Sequence, residues 1–164
     1  MTETFTYIDS PLGALLVTRD EDGITGLHLP TGAHAELPPP DGERDDAAFE
    51  DVRAQLAEYF AGERTDFELP LHPAGTDFQR RCWTALRTIE YGTTASYGEQ
   101  AVRIGNAKAV RAVGLANGQN PISIIVPCHR VIGANGSLTG YGGGLPAKQW
   151  LLSHEAAHSG LFAS

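Results

Sequence analysis

Apolar and polar residues alternate near the start of the chain, on either side of a turn signal. Residues 4–9 and 12–18 flank Asp9-Ser10-Pro11, and residues 24–29 repeat the pattern after Asp22-Gly23. A period of two is typical of strands with one face on a core. The pattern therefore predicts a small antiparallel sheet of three strands.

A helical period follows the predicted sheet. Residues 46–61 carry apolar side chains at helical spacing, and Gly62 is the stop signal. The apolar positions, which we assign to the core, are Phe49, Val52, Leu56, Tyr59 and Phe60. Residues 30–45, rich in proline, glycine and acidic side chains, predict a mobile loop. The segment ending at Leu69-Pro70 is a candidate strand, and residues 71–75 are a candidate linker, so we predict an α/β domain over residues 1–75.

Two capping boxes open the second half of the chain. Thr76–Gln79 predicts a helix that ends at Tyr91-Gly92, and Ser96–Glu99 predicts a short helix through Ile104. A Gly-Asn turn separates that short helix from a further helix over residues 107–117. Two short helices joined by a glycine turn are typical of a helix-turn-helix.

The remaining residues alternate between apolar and flexible segments. Residues 122–126 are an apolar, β-branched run that predicts a buried strand, and residues 131–132 predict a short strand. Residues 133–144 contain six glycines and predict a flexible loop, and residues 146–155 predict the last helix. We therefore predict a mainly α, winged helix-turn-helix-like domain over residues 76–164.

Composition places the chain among ordinary globular proteins. Hydrophobic residues make up 41% and charged residues 20%, and no run has the roughly 18 apolar residues of a membrane span. The first residues lack the pattern of a signal peptide, so we predict a cytoplasmic protein. The two cysteines, Cys82 and Cys128, are predicted to be free thiols, and their spacing does not favour a metal site.

The net charge of -8 is distributed unevenly. Residues 1–77 hold 4 basic and 17 acidic side chains, a net charge of -13, whereas residues 78–164 hold 8 basic and 3 acidic, a net charge of +5. Such asymmetry indicates a polyanionic partner for the second half only.

Cys128 is the first candidate for reactive chemistry. It follows an apolar run and Pro127 and precedes His129 and Arg130. Cationic neighbours stabilise a thiolate, which is the nucleophilic form of cysteine. A cysteine in an Ile/Val run can equally be a small buried hydrophobe, and that is our interpretation of Cys82 on the apolar face of its helix. The combination Pro-Cys-His-Arg favours a reactive Cys128.

The sequence around Cys128 also resembles a known signature. Residues 127–131, Pro-Cys-His-Arg-Val, with Asn120-Pro121 before them and Gly-Tyr-Gly-Gly-Gly at residues 140–144, are similar to the active-site motif of the O6-alkylguanine-DNA alkyltransferases. The resemblance extends to Ser-Tyr-Gly-Glu at 96–99, Ala-Val-Arg-Ala-Val-Gly at 109–114, Lys-Gln-Trp-Leu-Leu at 148–152 and His-Glu at 154–155. It covers the whole second half and, more weakly, the first half.

The resemblance implies a function. It implies DNA repair by a single irreversible transfer of an alkyl group from O6 of guanine, and from O4 of thymine, in double-stranded DNA to Cys128. The base would be flipped out of the duplex. It further implies an RNase-H-like fold for the first half, no cofactor, no metal, no membrane, and a monomer.

The catalytic roles are carried over from the family residue by residue. Cys128 would be the acceptor, His129 a base acting through a water, and Glu155 the group that orients His129. Tyr97 would donate to the leaving guanine, and Asn120 would brace the helix-turn-helix against the segment of Cys128.

The substrate pocket is assigned on the same resemblance and on local sequence. Tyr141, between glycines, is predicted to form a wall over the flipped base, and Ser123 indicates a roomy pocket. Lys148 would hold the Cys128 carbonyl or the pocket loop. Family members carry a small hydroxyl residue that contacts O6 where this chain has Gly142, which leaves a backbone N–H as the predicted donor.

DNA binding is assigned to the second helix of the helix-turn-helix. Arg111 resembles the arginine finger that enters from the minor groove, and the small residues around it allow close approach without base reading. The DNA-contacting residues assigned here are Arg111, Ala112, Gly114, Lys108 and Arg130.

Three other functions are alternatives from sequence. A sequence-specific regulator would need base-reading polar side chains on the second helix and usually a dimer interface, and the sequence shows neither. A lesion-binding module similar to the alkyltransferase-like proteins would bind without repair, but such proteins lack the acceptor cysteine. A Cys-His hydrolase would turn over, and it offers no reason for a helix-turn-helix or a basic second half.

Overall fold

The computed structural model describes residues 3–30 and 40–159 of the chain. A four-stranded sheet forms the first layer, with strands β1 (Thr4–Ile8), β2 (Leu15–Arg19), β3 (Ile24–His28) and β4 (Glu43–Arg44) in the order β3-β2-β1-β4. The three predicted strands are present and antiparallel. The prediction did not include the fourth strand, β4, which pairs with β1 in parallel inside the segment predicted as loop and makes the sheet mixed. Residues 31–39 of that predicted loop lie outside the described residues.

One helix covers this sheet. A 3-10 turn (Asp46–Phe49) leads into α1 (Glu50–Phe60), as the helical spacing predicts. Phe49, Val52, Leu56 and Tyr59 are all buried against the core. The candidate strand near Leu69 is reduced to a single bridge between Leu71 and Ile24.

The second half is mainly helical, as predicted. Its helices are α2 (Asp77–Leu86), α3 (Tyr97–Arg103), α4 (Val110–Gly118) and α5 (Leu145–Ser159), and two short strands, β5 (Ala95–Ser96) and β6 (Val131–Ile132), pair in parallel.

Both predicted capping boxes are formed, and two helix bounds differ from prediction. The side-chain oxygens of Thr76 and Ser96 accept from the backbone N–H groups of Gln79 and Glu99. The side chains of Gln79 and Glu99 in turn accept from the backbone N–H groups of Thr76 and Ser96. α2 ends before the predicted Tyr91-Gly92 because the backbone tightens into i→i+3 bonds after Leu86. α4 begins at Val110 rather than residue 107, because residues 106–109 close a separate turn first.

Buried hydrogen bonds join the two helices of the helix-turn-helix, α3 and α4, to each other and to α2. Gln100 of α3 and Asn117 of α4 exchange two side-chain hydrogen bonds, at 2.9 and 2.7 Å. The Trp83 indole of α2 donates to the Ala116 carbonyl at 2.9 Å. Fully paired buried polar groups favour one arrangement of these helices over alternatives.

The prediction of a strand over residues 122–126 is wrong, because these residues do not form one. The segment is buried, as its apolar run indicates, but it folds into consecutive turns in which Ile125 donates to Ser123 O and Val126 donates to Ile122 O. Ile124 has φ +71, a left-handed conformation that costs a β-branched residue about 1–2 kcal/mol. An apolar run shows burial but does not distinguish a strand from a compact buried turn.

The sheet supports this turn directly. Leu27 of β3 donates its N–H to the Pro121 carbonyl at 2.9 Å and accepts from Ser123 N at 3.1 Å. The first half of the chain therefore holds the segment that leads to Cys128. Within residues 3–30 and 40–159, no helix is long and apolar enough to cross a membrane.

Candidate active site

Cys128 begins a one-turn 3-10 helix, Cys128–Arg130, immediately after Pro127. Its side chain is half-buried and is not in a disulfide. The turns before it and the strand β6 after it fix its position from both sides. A reactive thiol is thus presented at a short, rigid helical turn and not at the end of a strand.

Asn120 connects this turn to the end of α4. Its side-chain Nδ2 lies 3.0 Å from Val126 O and 3.3 Å from Sγ of Cys128, and its Oδ1 accepts from Ile122 N at 3.0 Å. These contacts place Asn120 where the family resemblance implies a brace.

The thiol is not surrounded by the cations that neighbour it in sequence. Burial raises the pKa of Cys128, and the groups that oppose this effect are the amide of Asn120 and the charge of Lys148. The interpretation that His129 and Arg130 stabilise a thiolate is wrong, because both side chains are turned toward Glu155. Cys128 is therefore a thiol at neutral pH, and its reaction needs a base.

His129 and Glu155 form a fully buried pair. Nε2 of His129 lies 2.7 Å from Oε2 of Glu155. Burial by itself would raise the pKa of Glu155, but His129 and Arg130 hold it well below its usual value, so the carboxylate is ionised and only accepts. Nε2 therefore carries the proton, and Nδ1 has a free lone pair, with no hydrogen-bond partner among the described residues.

His129 is suited to accept a proton. Burial lowers the pKa of His129 below 6.5, and this effect exceeds the opposite effect of Glu155. The ring is therefore neutral at physiological pH. A neutral imidazole oriented by a carboxylate, in the same turn as a thiol, supplies the three groups of a nucleophile, a base and an orienting carboxylate.

Arg130 does not lie on a DNA-facing surface, so its assignment to DNA contact is corrected. Its Nε donates to Oε1 of Glu155 at 2.7 Å, its NH2 donates to Oε2 at 3.1 Å, and its NH1 donates to Ile89 O at 2.7 Å. The residue is 6% exposed, and its guanidinium stacks on Tyr91. Each of the three nitrogens donates inside the protein, and the side chain is buried, so Arg130 is not available to a phosphate.

Tyr97 and Lys148 meet at Thr139 of the glycine-rich loop. The Tyr97 hydroxyl is 2.5 Å from the Thr139 hydroxyl. The fully buried Lys148 donates to Val131 O at 2.7 Å and to Thr139 O at 3.2 Å. Lys148 therefore holds the pocket loop and not the Cys128 carbonyl, which accepts from the Val131 N–H.

A cavity of about 570 Å³ opens beside this loop. Ser123 and Gly142 line it, as does the brace residue Asn120. His28 and Leu29 line it from the first half of the chain. Tyr141 packs against the core, and its ring meets that of His129 edge to face at 6.5 Å.

The outer face of α4 and the turn before it carry the other residues assigned to DNA. Arg111, Ala112 and Lys108 are exposed, and Gly114 is half-buried against the Tyr97 ring. Leu115, one helical turn after Arg111, is 66% exposed. The surface thus combines two cations, Arg111 on the helix and Lys108 before it, with small and apolar side chains.

One group of possible metal ligands occurs among the described residues, and it does not include Cys128. Asp20, Asp22 and His72 lie together at the surface, where Asp20 and His72 pair at 2.7 Å.

Models of two domains match the chain. Residues 4–73 match the ribonuclease-like domain of 6-O-methylguanine DNA methyltransferase, and residues 77–157 match its DNA-binding domain. The chain belongs to the 6-O-methylguanine DNA methyltransferase family.

Named relatives of this family are similar over nearly their full length. A methylated-DNA–protein-cysteine methyltransferase of Methanosarcina acetivorans is 48% identical over 153 residues, which cover 93% of this chain and 98% of the relative. The crystal structure of the Mycobacterium tuberculosis O6-methylguanine methyltransferase superposes with a TM-score of 0.87 at 47% identity and covers 99% and 100% of the two chains. A structure of the M. tuberculosis protein in complex with DNA has a TM-score of 0.86 at 49% identity and covers 96% and 94%.

Sequence reasoning missed two contacts of this methyltransferase-family site. Thr139 lies in a Leu-Thr-Gly-Tyr segment with no signal of its own, and its role depends on the fold of the loop. Tyr59 was assigned to the core on its helical spacing and is fully buried, but its hydroxyl binds Glu155 at 2.6 Å. A helical period predicts burial and does not reveal the partner of a buried phenol.

Proposed function

We propose that this protein repairs DNA by transferring a methyl or larger alkyl group from O6 of guanine to Sγ of Cys128, once per molecule. Membership of the family supports the reaction, and the observation that carries it to particular atoms is that one turn holds both the half-buried Cys128 thiol and His129 of the buried His129–Glu155 pair. O4-alkylthymine is the second substrate that we infer from the family.

The nucleophile is formed during the reaction. Nδ1 of His129, through an intervening water, takes the proton of the Cys128 thiol, and Glu155 stabilises the resulting imidazolium. The amide of Asn120 and the charge of Lys148 favour the developing thiolate. A neutral histidine and a protonated cysteine in the resting protein fit this order of events.

The transfer is a displacement at the alkyl carbon. The S–C bond forms as the C–O6 bond breaks, and the bonding electron pair moves onto O6 and the guanine ring. The Tyr97 hydroxyl transfers its proton to a ring nitrogen and so neutralises the leaving base, and the proton held by His129 returns through solvent to the Tyr97 phenolate. The hydroxyl leaves its contact with Thr139 to do so, while the Gly142 N–H donates to O6. The product thioether has no further role as an acceptor, which makes the reaction stoichiometric.

Double-stranded DNA is the substrate that the α4 surface fits. Arg111 enters the base stack from the minor groove when the alkylated base is flipped out. Ala112 and Gly114 allow the helix to approach closely, and Lys108 contacts a phosphate. The positive net charge of residues 78–164 supports this orientation.

The finer organisation is also part of the proposal. We infer a domain boundary between residues 75 and 76, which the helix cap at Thr76 supports. We further infer a monomer that uses no metal and acts in the cytoplasm.

A quantitative burst experiment tests the function. The protein is mixed with an excess of duplex carrying O6-methylguanine, and restored guanine is counted. One guanine per protein molecule is expected, and the Cys128→Ser variant should restore none. Tight lesion binding without restored guanine would indicate a lesion-binding module, and continued release of product would indicate a turnover enzyme such as a hydrolase.

A further inference from the structure

The last turn of α1 places a phenol on the carboxylate of Glu155. Tyr59 is fully buried, and its hydroxyl donates to Oε2 of Glu155 at 2.6 Å. The two residues are 96 positions apart and belong to different halves of the chain. This hydroxyl connects the first half of the chain directly to the His129–Glu155 pair.

The position of the phenol is fixed from several sides. The Tyr59 carbonyl accepts from Nε2 of His154 at 2.8 Å, so two consecutive residues of α5 bind the same tyrosine. Its ring also packs against the rings of Phe60, Phe67 and Tyr91. The hydroxyl therefore has little freedom to turn away from Oε2.

Oε2 of Glu155 receives three donors. Tyr59 lies at 2.6 Å, Nε2 of His129 at 2.7 Å and NH2 of Arg130 at 3.1 Å. Burial raises the pKa of Tyr59 well above 10, and the Glu155 charge adds to this effect, so the phenol keeps its proton and acts as a donor. Each donor withdraws negative charge from the oxygen that His129 also uses.

We propose that Tyr59 is a positioning residue that sets the basicity of His129 through Glu155, so that the first half of the chain tunes the reaction of the second. The inference rests on the proposed function. By sharing Oε2, the phenol weakens the pull of the carboxylate on the imidazolium, and it also keeps Oε2 in line with Nε2. His129 consequently stays neutral and able to accept the thiol proton at physiological pH.

Other charged or titratable groups also face this pair. Lys148 of α5 and Cys128 and Arg130 of the 3-10 turn lie near His129, and Tyr91 and Tyr141 interact with Glu155. A change confined to the Tyr59 hydroxyl leaves all five in place. A shift in the titration of His129 on such a change is therefore attributable to the phenol.

The test is the pH dependence of the single-turnover rate in Tyr59→Phe, measured with free O6-benzylguanine so that DNA binding does not contribute. Loss of the donor should move the midpoint of the acid limb upward by about half a pH unit to one pH unit. It should also lower the plateau rate by about two- to tenfold. The matched control is Tyr7→Phe on β1, which removes the hydroxyl of a half-buried tyrosine that packs against Phe5 and Arg44, and it should leave the midpoint unchanged.

A second variant covers the case in which Tyr59→Phe does not fold. Incorporation of 3,5-difluorotyrosine at position 59 keeps the shape of the ring and makes the hydroxyl a stronger donor, so the midpoint should move downward. An unchanged midpoint in a folded Tyr59→Phe protein or in the fluorinated protein would overturn the proposal. If wild-type protein itself gains no alkyl group on Cys128, the proposed function fails instead, and the two failures are thereby distinguished.

Discussion

Asn120 lies 3.3 Å from Sγ of Cys128 through its amide nitrogen, and the same nitrogen lies 3.0 Å from the Val126 carbonyl oxygen. One side chain thus holds the turn that carries the nucleophile and also favours its ionised form. We expect Asn120→Ala to lower the single-turnover rate at least tenfold, because each lost hydrogen bond is worth about 1 kcal/mol. The rate is measured with O6-benzylguanine, beside Asn135→Ala in the exposed loop as control. Equal rates in the two variants would contradict the role of Asn120.

The pH profile of the wild-type protein follows from two opposite shifts. Burial raises the pKa of Cys128 and lowers that of His129 below 6.5. His129 therefore remains an unprotonated base as the pH falls through 6.5, and the rate should hold to below that pH before it declines. In His129→Gln the base is lost, and the rate should instead climb on the alkaline side as the thiol ionises. Rates from about pH 5 to about pH 10 test both limbs, and a wild-type rate that simply followed thiol ionisation would exclude His129 as the base.

The same shifts predict how stability depends on pH. The unfolded chain protonates His129 near pH 6.5 and Glu155 near pH 4.5, whereas both pKa values are lower in the folded protein. The unfolded state therefore binds more protons on acidification, and these groups lose their stabilising contribution as the pH falls through 6.5 and then through 4.5. Urea unfolding at a series of pH values should show this decline. A free energy of unfolding that stayed constant from neutral pH to about pH 4 would contradict the buried pair.

Arg130 is expected to contribute to stability, whereas Arg111 is expected to contribute to DNA binding. Arg130→Lys keeps the charge but loses the two-point contact with Glu155, and we expect the free energy of unfolding to fall by about 2 kcal/mol or more. The salt dependence of duplex binding should not change.

Arg111→Ala should leave stability unchanged and lower repair in duplex DNA at least tenfold more than reaction with free O6-benzylguanine. Arg44→Ala, at an exposed position of the first half, is the control. Equal losses on both substrates in Arg111→Ala would remove the finger role.

The resemblance to the family implies a small hydroxyl residue at the position that Gly142 occupies. A Cβ built at Gly142 meets no atom within 4 Å, and the same holds at Gly140 in the same loop. Serine at 142 should therefore be tolerated without a change in melting temperature, and its hydroxyl should raise the repair rate a few-fold by adding a donor at O6. Gly140→Ser should leave the rate unchanged. A slower Gly142→Ser protein would contradict this expectation. It would indicate that the pocket needs the open space beside the Gly142 backbone N–H more than it needs a second donor.

Local signals in the sequence predicted the local structure well. The alternation around Asp9-Ser10-Pro11 predicted β1 and β2, and the residues Thr76 and Ser96 predicted the starts of α2 and α3. Caps and periods are properties of neighbouring residues, so they can be identified without the fold.

Contacts between distant parts of the chain could not be predicted in this way. The motif His129-Arg130 suggests two cations beside Cys128, but the 3-10 turn directs both side chains to Glu155. Residues 122–126 were predicted as a strand because burial alone was visible in their apolar run. Tyr59 and Thr139 gained their partners only when the halves and the loop were placed.

Alkyl transfer to Cys128 is tested most directly by the mass of the intact protein after reaction with one equivalent of duplex carrying O6-methylguanine, followed by peptide mapping. One hydrogen should be replaced by one methyl group, located on Cys128, with Cys82 unmodified. A second equivalent of duplex should add nothing. An unmodified Cys128 after complete repair of the duplex, or a methyl group mapped to Cys82, would contradict transfer to Cys128.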